Sequence, residues 1–484
     1  MALLKSIFRN IGMVFLSDLL GRVLYFFLII SIARFLGAEG LGFYSFVFAF
    51  VGLFVVFNDL GLSQLFVREV ARKHSDASRY ISNILTMKVL LGILTFAATA
   101  IAIFLAEHRP FLVYAVLLAS VGMFFSSMKD SLLTVFQSFE RMEFISAIRA
   151  IESALIVALS ISALLLGYGI LAITLVFLSI YALTFLASFF AVRREVHIHI
   201  SFDFASWKKF LSLSAPFWLT GVFIAIYFRI DTVMLGVMRG YVETGIYNAA
   251  YRLLDALYII PGAIIPVIYP VMSRLHLSDR KVLTEVYRRA FSYLIIIALP
   301  MAVGSTLLAS RIMSFVYSGN FSADVAGAAI ALQVLIWAEV FIFLSSVSGH
   351  MLNSINKQLI FAFTAAGAAL SNFLLNLYFI SRWGYIGAAA TTVMTELGVL
   401  AVLFFFVRRS GYRINPLAAF AKAAAGCAAM AAAIMLLLPL HVLVIIPVSA
   451  LAYLSVVFLL RGFEKQDVDL VLGYVRGVTR RKLP

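Results

Sequence analysis

The stretch 244–270, TGIYNAAYRLLDALYIIPGAIIPVIYP, is apolar and long enough to cross a bilayer, yet Arg252 and Asp255 sit in its middle. At helical spacing Asn248, Arg252, Asp255, Gly262 and Pro266 fall at i, i+4, i+7, i+14 and i+18, on one face flanked by Tyr251 and Tyr258. A charge at membrane depth costs about 2.5–3.5 kcal/mol on insertion scales, so this face must turn into a protein interior or a wet cavity. Arginine binds phosphate with a bidentate fork. A face turned into a wet, anion-binding cavity is one reading. The other is an Arg252–Asp255 pair at i, i+3 that only neutralises itself inside a helix bundle.

A similar stripe lies in the first apolar run, where Asp18, Arg22, Tyr25 and Ile29 recur at i, i+4, i+7 and i+11. Arg22 and Arg252 are therefore the candidate anion-binding residues, with Tyr25, Asn248, Tyr251 and Tyr258 as the polar and aromatic wall. Glu339 heads a stripe with Ser346, His350 and Asn353, and Glu396 follows Thr392 by one turn. Buried carboxylates can trade protons or cations, so Asp18, Asp255, Glu339 and Glu396 are the candidates for ion coupling. Arg149 and Glu152 are spaced to pair at i, i+3, and Asn372 and Asn376 to bond between helices. Arg229 is placed to snorkel to an interface, and Asp59 to cap a turn.

These residues need helices in a membrane to position them. The 484-residue chain is 63% hydrophobic and 13% charged, against about 25% charged in a soluble domain. Fourteen spans are expected at 11–33, 41–60, 80–106, 111–133, 145–166, 170–192, 210–232, 245–272, 290–310, 325–350, 359–380, 385–407, 417–439 and 441–460. The longest polar pieces are 61–79, 193–209, 273–289 and 461–484, none large enough for a separate catalytic domain. With both termini cytoplasmic, the outer loops hold Arg34, Arg109, Arg239, Arg311 and Arg382, and most of the other basic residues outside the spans face the cytoplasm. The net charge of +15 thus reads as positive-inside bias and not as nucleic-acid binding. Lys5 and Arg9 precede an apolar run that carries Asp18 and Arg22 and lacks a cleavage site, unlike a signal peptide.

Several chemistries drop out. There is no GxxxxGK[ST] for a nucleotide-driven pump. His197 and His199 are not at metal-ligand spacing with other ligands, and the lone Cys427 lies in an alanine-rich run. No metal site, cofactor or enzymatic activity is expected.

An internal repeat organises the chain. Gly42-Phe43-Tyr44 matches Gly245-Ile246-Tyr247, each just after a loop with Leu-Gly and a glutamate (Glu39, Glu243). FQSFERMEF at 136–144 aligns with LNSINKQLI at 352–360, and Gly167-Tyr168-Gly169 with Gly384-Tyr385-Ile386-Gly387. The expected plan is an N-lobe (1–192, helices 1–6), a cytoplasmic linker (193–209), a C-lobe (210–408, helices 7–12), an extra helix pair (409–460) and a basic cytoplasmic tail (461–484). Two like lobes with a site between them is a transporter plan.

ARFLGAEGLGFYSFVFAF (33–50), NDLGLS (58–63), RIDTVMLG with ETGIYNAAYRL (229–253), LNSINKQ (352–358) and RWGYIGAAATTVMTELGVL (382–400) resemble the Wzx-type polysaccharide-biosynthesis flippases. These belong to the multidrug/oligosaccharidyl-lipid/polysaccharide exporter superfamily. The resemblance implies an all-α, fourteen-helix protein of the cytoplasmic membrane that moves polyprenyl-pyrophosphate-linked glycans by alternating access. Related lipid II flippases place arginines of the first and eighth helices in a cationic cavity, and Arg22 and Arg252 occupy comparable helices. Also implied are a lipid-linked glycan as substrate, membrane lipid and glycan polymerase or glycosyltransferases as partners, and a monomer. The coupling ion, Na⁺ or H⁺, stays open. The alternatives are an ion-coupled organic-cation antiporter of the same superfamily and a non-transporting scaffold for glycan synthesis.

Overall fold

The computed structural model describes residues 2–463; most of the basic tail lies outside the described residues. Twelve helical runs among them are long and apolar enough to cross a membrane. Two runs are pairs joined at a sharp bend. Ala2–Phe54 bends at Gly37 (φ 71°, ψ −169°), and Gln358–Arg409 at Gly384 (φ 55°, ψ −133°). Side chains other than hydrogen rarely tolerate these torsions, so glycine lets the chain reverse without a loop. With each pair counted as two, the fourteen expected spans are present, and the protein is an all-α, multi-pass membrane protein.

The third to sixth spans are Ala77–Ala106, Pro110–Ser138, Met142–Leu165 and Ile170–Arg193. The seventh is Phe204–Arg239, the ninth Arg280–Val316 and the tenth Val325–Ser354. Leu417–Leu437 and Val442–Leu459 close the series. The eighth is broken into Tyr241–Leu257 and Ile259–Ser278. Pro261 has no N–H to offer the carbonyl of Leu257, four residues back, which weakens the helix at that point.

Helices outrun the apolar windows where charges pair along them. The ninth begins at Arg280 because Glu285 bonds Arg288 (2.5 Å) and Arg289 (2.9 Å) one turn on, which supports a polar first stretch. The piece 61–79, expected to be a polar loop, is largely helical. The second span runs on through Val56–Asp59, breaks at Leu60 and Gly61 with positive φ, and turns into Leu62–Val70. Leu62, Leu65, Phe66 and Val70 bury one face of that short helix against Ile84, Leu132, Phe136 and Trp207. The linker 193–209 is also pinned: Ser201 N–H donates to Thr86 (3.1 Å), His199 N–H to Ser82 (3.1 Å), and Trp207 to Asn83 (2.9 Å).

The chain forms two compact units. One holds Met1–Arg252 with two short pieces, Tyr317–Val325 and Ala369–Ala388; the other holds the remainder. In the second, the last hairpin packs on the ninth span. Tyr453 donates to the carbonyl of Ile296 (2.6 Å), and Gly426 leaves room for its ring.

Candidate functional site

In the first unit the second and eighth spans cross at backbone contact. A Cβ on Gly42 would lie 1.8 Å from the carbonyl oxygen of Tyr241, and a Cβ on Gly245 1.8 Å from that of Ala38. Only glycine fits at either place. The two contacts exchange under the internal repeat, so equivalent helices of the two halves meet here. Just beyond the glycines stand the equivalent tyrosines Tyr44 and Tyr247. Tyr247 is fully buried and donates to Asp231, whose other oxygen takes the Thr232 N–H at 2.7 Å. Asn248 spends its amide on the Thr244 carbonyl (2.9 Å) and Thr232 (3.3 Å), which makes it part of the packed interior.

Arg252 lies one turn beyond Asn248. Both it and Arg229 are within electrostatic range of the Tyr44 hydroxyl, and Arg252 also acts on Tyr317. Tyr317 in turn donates to the carbonyl of Ala249 (3.0 Å). Arg229, placed by its sequence to snorkel outward, instead donates to the Phe48 carbonyl (3.1 Å) and lies against Gly52, where a Cβ would clash with its Nε at 2.5 Å. The missing side chain at Gly52 is what draws the guanidinium inward. Sequence reasoning thus missed a second inward arginine.

Arg22 is exposed and makes no ion pair among the described residues. One turn on, the Tyr25 hydroxyl is within hydrogen-bonding reach of Tyr181 and Ser153. Asp18 pairs with Arg149 at 3.2 Å rather than with Arg22, and Arg149 does not pair with Glu152 as its spacing suggested. Tyr251 is half-buried with its ring 5.7 Å from that of Tyr247, and Tyr258 is exposed.

Glu152 is taken by a residue the sequence reading passed over. Lys129, buried in the fourth span, holds Glu152 at 2.5 Å, and Thr184 donates to the same carboxylate oxygen at 2.8 Å. The Lys129 ammonium also sits 5.4 Å from the centre of the Tyr181 ring. Lys88 in the third span is equally buried. It binds Asp59 (2.7 Å), the Ser131 hydroxyl (2.6 Å) and the Ser127 carbonyl (2.8 Å). Asp59 is therefore a half-buried ion-pair partner as well as a turn residue, also accepting from Ser63. A lysine inside an apolar span was the signal that could have found both pairs.

In the second unit Glu339 and Glu396 are buried, and Glu339 feels the charges of Glu396 and Asp255. Its Oε1 has no hydrogen-bond partner. His350 donates from Nδ1 to the Ser346 carbonyl (2.8 Å) with its ring beside Tyr269. Asn376 donates to Asn372 (2.9 Å) along one helix, not between helices. No three His, Cys, Asp or Glu side chains converge at metal-binding distance among the described residues.

Residues 7–276 match the model of the polysaccharide biosynthesis protein family. A protein named as an O-antigen transporter of Shigella flexneri is 23% identical over 397 residues, 78% of this chain and 92% of its own. A protein named as a low-salt glycan biosynthesis flippase of Haloferax volcanii is 20% identical over 392 residues, 79% of each chain. Among solved structures, the lipid II flippase MurJ in an inward closed conformation superposes with a TM-score of 0.78 at 20% identity, covering 92% of this chain and 98% of that one. An inward-facing multidrug transporter of the MOP superfamily gives 0.66 at 16%, over 80% and 94%. These likenesses fix the fold, and the named relatives are transporters and flippases rather than catalysts.

Proposed function

The chain belongs to the polysaccharide biosynthesis protein family, and on that footing we propose that it carries a polyprenyl-pyrophosphate-linked oligosaccharide across the cytoplasmic membrane. The lobes 1–192 and 210–408 alternate access to a site between them, with both termini, the linker 193–209 and the tail 461–484 on the cytoplasmic side and the pair 409–460 standing outside the repeat. The observation that carries the substrate is Arg252, mid-membrane, beside Tyr44 and with Arg229 at the same tyrosine. A diphosphate entering a low-dielectric cleft loses hydration and needs charged donors in compensation. Arg22, exposed and without an ion-pair partner among the described residues, completes the grip, and Tyr25, Tyr251 and Tyr258 offer faces to the sugars. With no nucleotide-binding motif in the sequence, the drive comes from an ion gradient, the membrane potential or consumption of the flipped product.

Purified protein in liposomes, given a labelled polyprenyl-pyrophosphate oligosaccharide, should move it between leaflets, and cells lacking the protein should accumulate the unflipped intermediate. Normal surface glycan together with new drug sensitivity would overturn this reading. It would favour the second one, an ion-coupled exchanger of organic cations, to which Glu339, within electrostatic range of Glu396 and Asp255, is suited.

A further inference from the structure

The glycine crossing is more than close packing. Tyr241, whose carbonyl faces Gly42, donates its hydroxyl to Glu107 in the turn between the third and fourth spans. Arg109 in the same turn pairs with Glu39 at 3.3 Å and lies over the rings of Tyr241 and Phe43. On the other flank Glu243 binds Arg239 (3.1 Å) and accepts the Tyr385 N–H (3.0 Å), beside Gly384, where a Cβ would overlap the carboxylate. Asn320 reaches the Phe35 carbonyl at 2.7 Å. Every one of these bonds joins segments near the Gly37 bend, and the ion pairs among them are half-exposed. A backbone crossing tight enough to exclude one methyl group leaves no passage for a head group. The ion pairs at its rim are partly exposed, of the kind worth about 0–1 kcal/mol each, easy to break and remake.

We propose that Gly42 and Gly245 are the closing elements of the outer gate, a reversible seam that must part for substrate to leave, with Tyr241–Glu107 and Arg109–Glu39 as its clasp. This rests on the transport reading and on its orientation. The repeat makes the two glycines equivalent: an alanine at either must force the helices apart by at least about 1.5 Å to reach an ordinary C–H···O distance. Each variant should therefore bias the protein toward the open seam, and by a similar factor.

The test uses the full-length protein in liposomes with Cys427→Ala and a single reporter, Thr244→Cys, at a fully buried position next to Gly245. A membrane-impermeant maleimide is added to each side in separate arms. Labelling from the Gly37 side should be slow in the parent and about tenfold faster in Gly42→Ala and in Gly245→Ala, a shift of about 1.4 kcal/mol in the gate equilibrium. Gly262→Ala on the same helix, where a Cβ meets nothing within 4 Å, should leave it unchanged. Should an alanine variant fail to fold, Glu107→Gln with Tyr241→Phe opens the clasp without adding bulk and should raise labelling in the same direction. Folded Gly42→Ala and Gly245→Ala proteins that label like the parent would overturn the proposal. Labelling needs no glycan, so faster labelling without glycan movement would uphold the gate while removing the substrate reading.

Discussion

Lys129 lies buried inside the fourth span, 2.5 Å from Glu152 and 5.4 Å from the centre of the Tyr181 ring, whereas Arg22 on the first span is exposed and makes no ion pair among the described residues. Both are cations at membrane depth, and both carry a high insertion cost. The lysine is compensated completely by groups of its own bundle, as is Lys88 by Asp59, Ser131 and Ser127. Such a charge has nothing left to offer a ligand. Arg22 is exposed and makes no ion pair among the described residues, which suits a residue whose partner arrives with the substrate. On the function proposed above, the difference separates charge that holds the bundle from charge that meets the substrate, and it can be broken from either side.

The largest effect should come from the interior pair. Lys129→Met strands the Glu152 carboxylate among apolar neighbours, so the purified protein should lose about 3–5 kcal/mol of stability and much of its membrane yield. Lys129→Met with Glu152→Met removes both charges and should recover most of the loss in a thermal unfolding assay in detergent. If the single and double variants melt alike, the pair is not the structural element described here.

Arg252→Ala should do the reverse. Its melting point should stay near that of the parent while flipping falls by roughly 10- to 100-fold, the worth of a lost charge-assisted hydrogen bond. Arg252→Lys keeps charge but not the fork and should fall between. Arg22→Ala should resemble Arg252→Ala in kind. Stable, expressed and fully active arginine variants would end the pyrophosphate grip and with it the contrast.

The spans were readable beforehand; the pairing of charges between them was not, and for a physical cause. Apolar windows locate spans well, because a bilayer demands about twenty such residues wherever it is crossed. The repeat of Gly42-Phe43-Tyr44 in Gly245-Ile246-Tyr247 marked the two segments as equivalent but not as crossing, because a crossing depends on the opposite backbone. Helical spacing puts Arg149 and Glu152 on one face, but it cannot say which neighbouring helix presents a better partner; Asp18 and Lys129 do. Gly52 likewise reads as one more small residue until Arg229 is found lying on it.

A smaller effect is expected among the acids of the second unit. Glu339→Gln replaces a buried carboxylate, within electrostatic range of Glu396 and Asp255, with a neutral isostere. Like-charge repulsion is relieved, so the variant should melt no lower than the parent. Should the trio couple transport to an ion, flipping in the variant should lose its dependence on the pH or Na⁺ gradient. An unchanged dependence would assign these acids to packing, on the structural side of the contrast.

The smallest effect lies at the seam's rim. Glu107 sits half-buried in the turn between spans, where burial works to raise its carboxyl. The Tyr241 hydroxyl, the N–H groups of Arg109 and His108 and the Arg109 charge together outweigh that and hold it below the ordinary value of 4.5. A carboxyl whose folded pKa is depressed contributes stability that is complete above the ordinary value and is lost as pH falls through the folded one. Between pH 7 and 5 the clasp should therefore be indifferent to pH, and below pH 4.5 it should loosen. Labelling of Thr244→Cys in acid-stable liposomes, with a reagent that reacts at low pH, should rise about two- to threefold over that interval, as expected for a partly exposed pair worth a few tenths of a kcal/mol. In Glu107→Gln the rise should vanish, because the group that titrates is gone. A pH-driven rise that persists in the glutamine variant would place the sensitive group elsewhere and leave Tyr241–Glu107 as rim packing without a share in holding the gate.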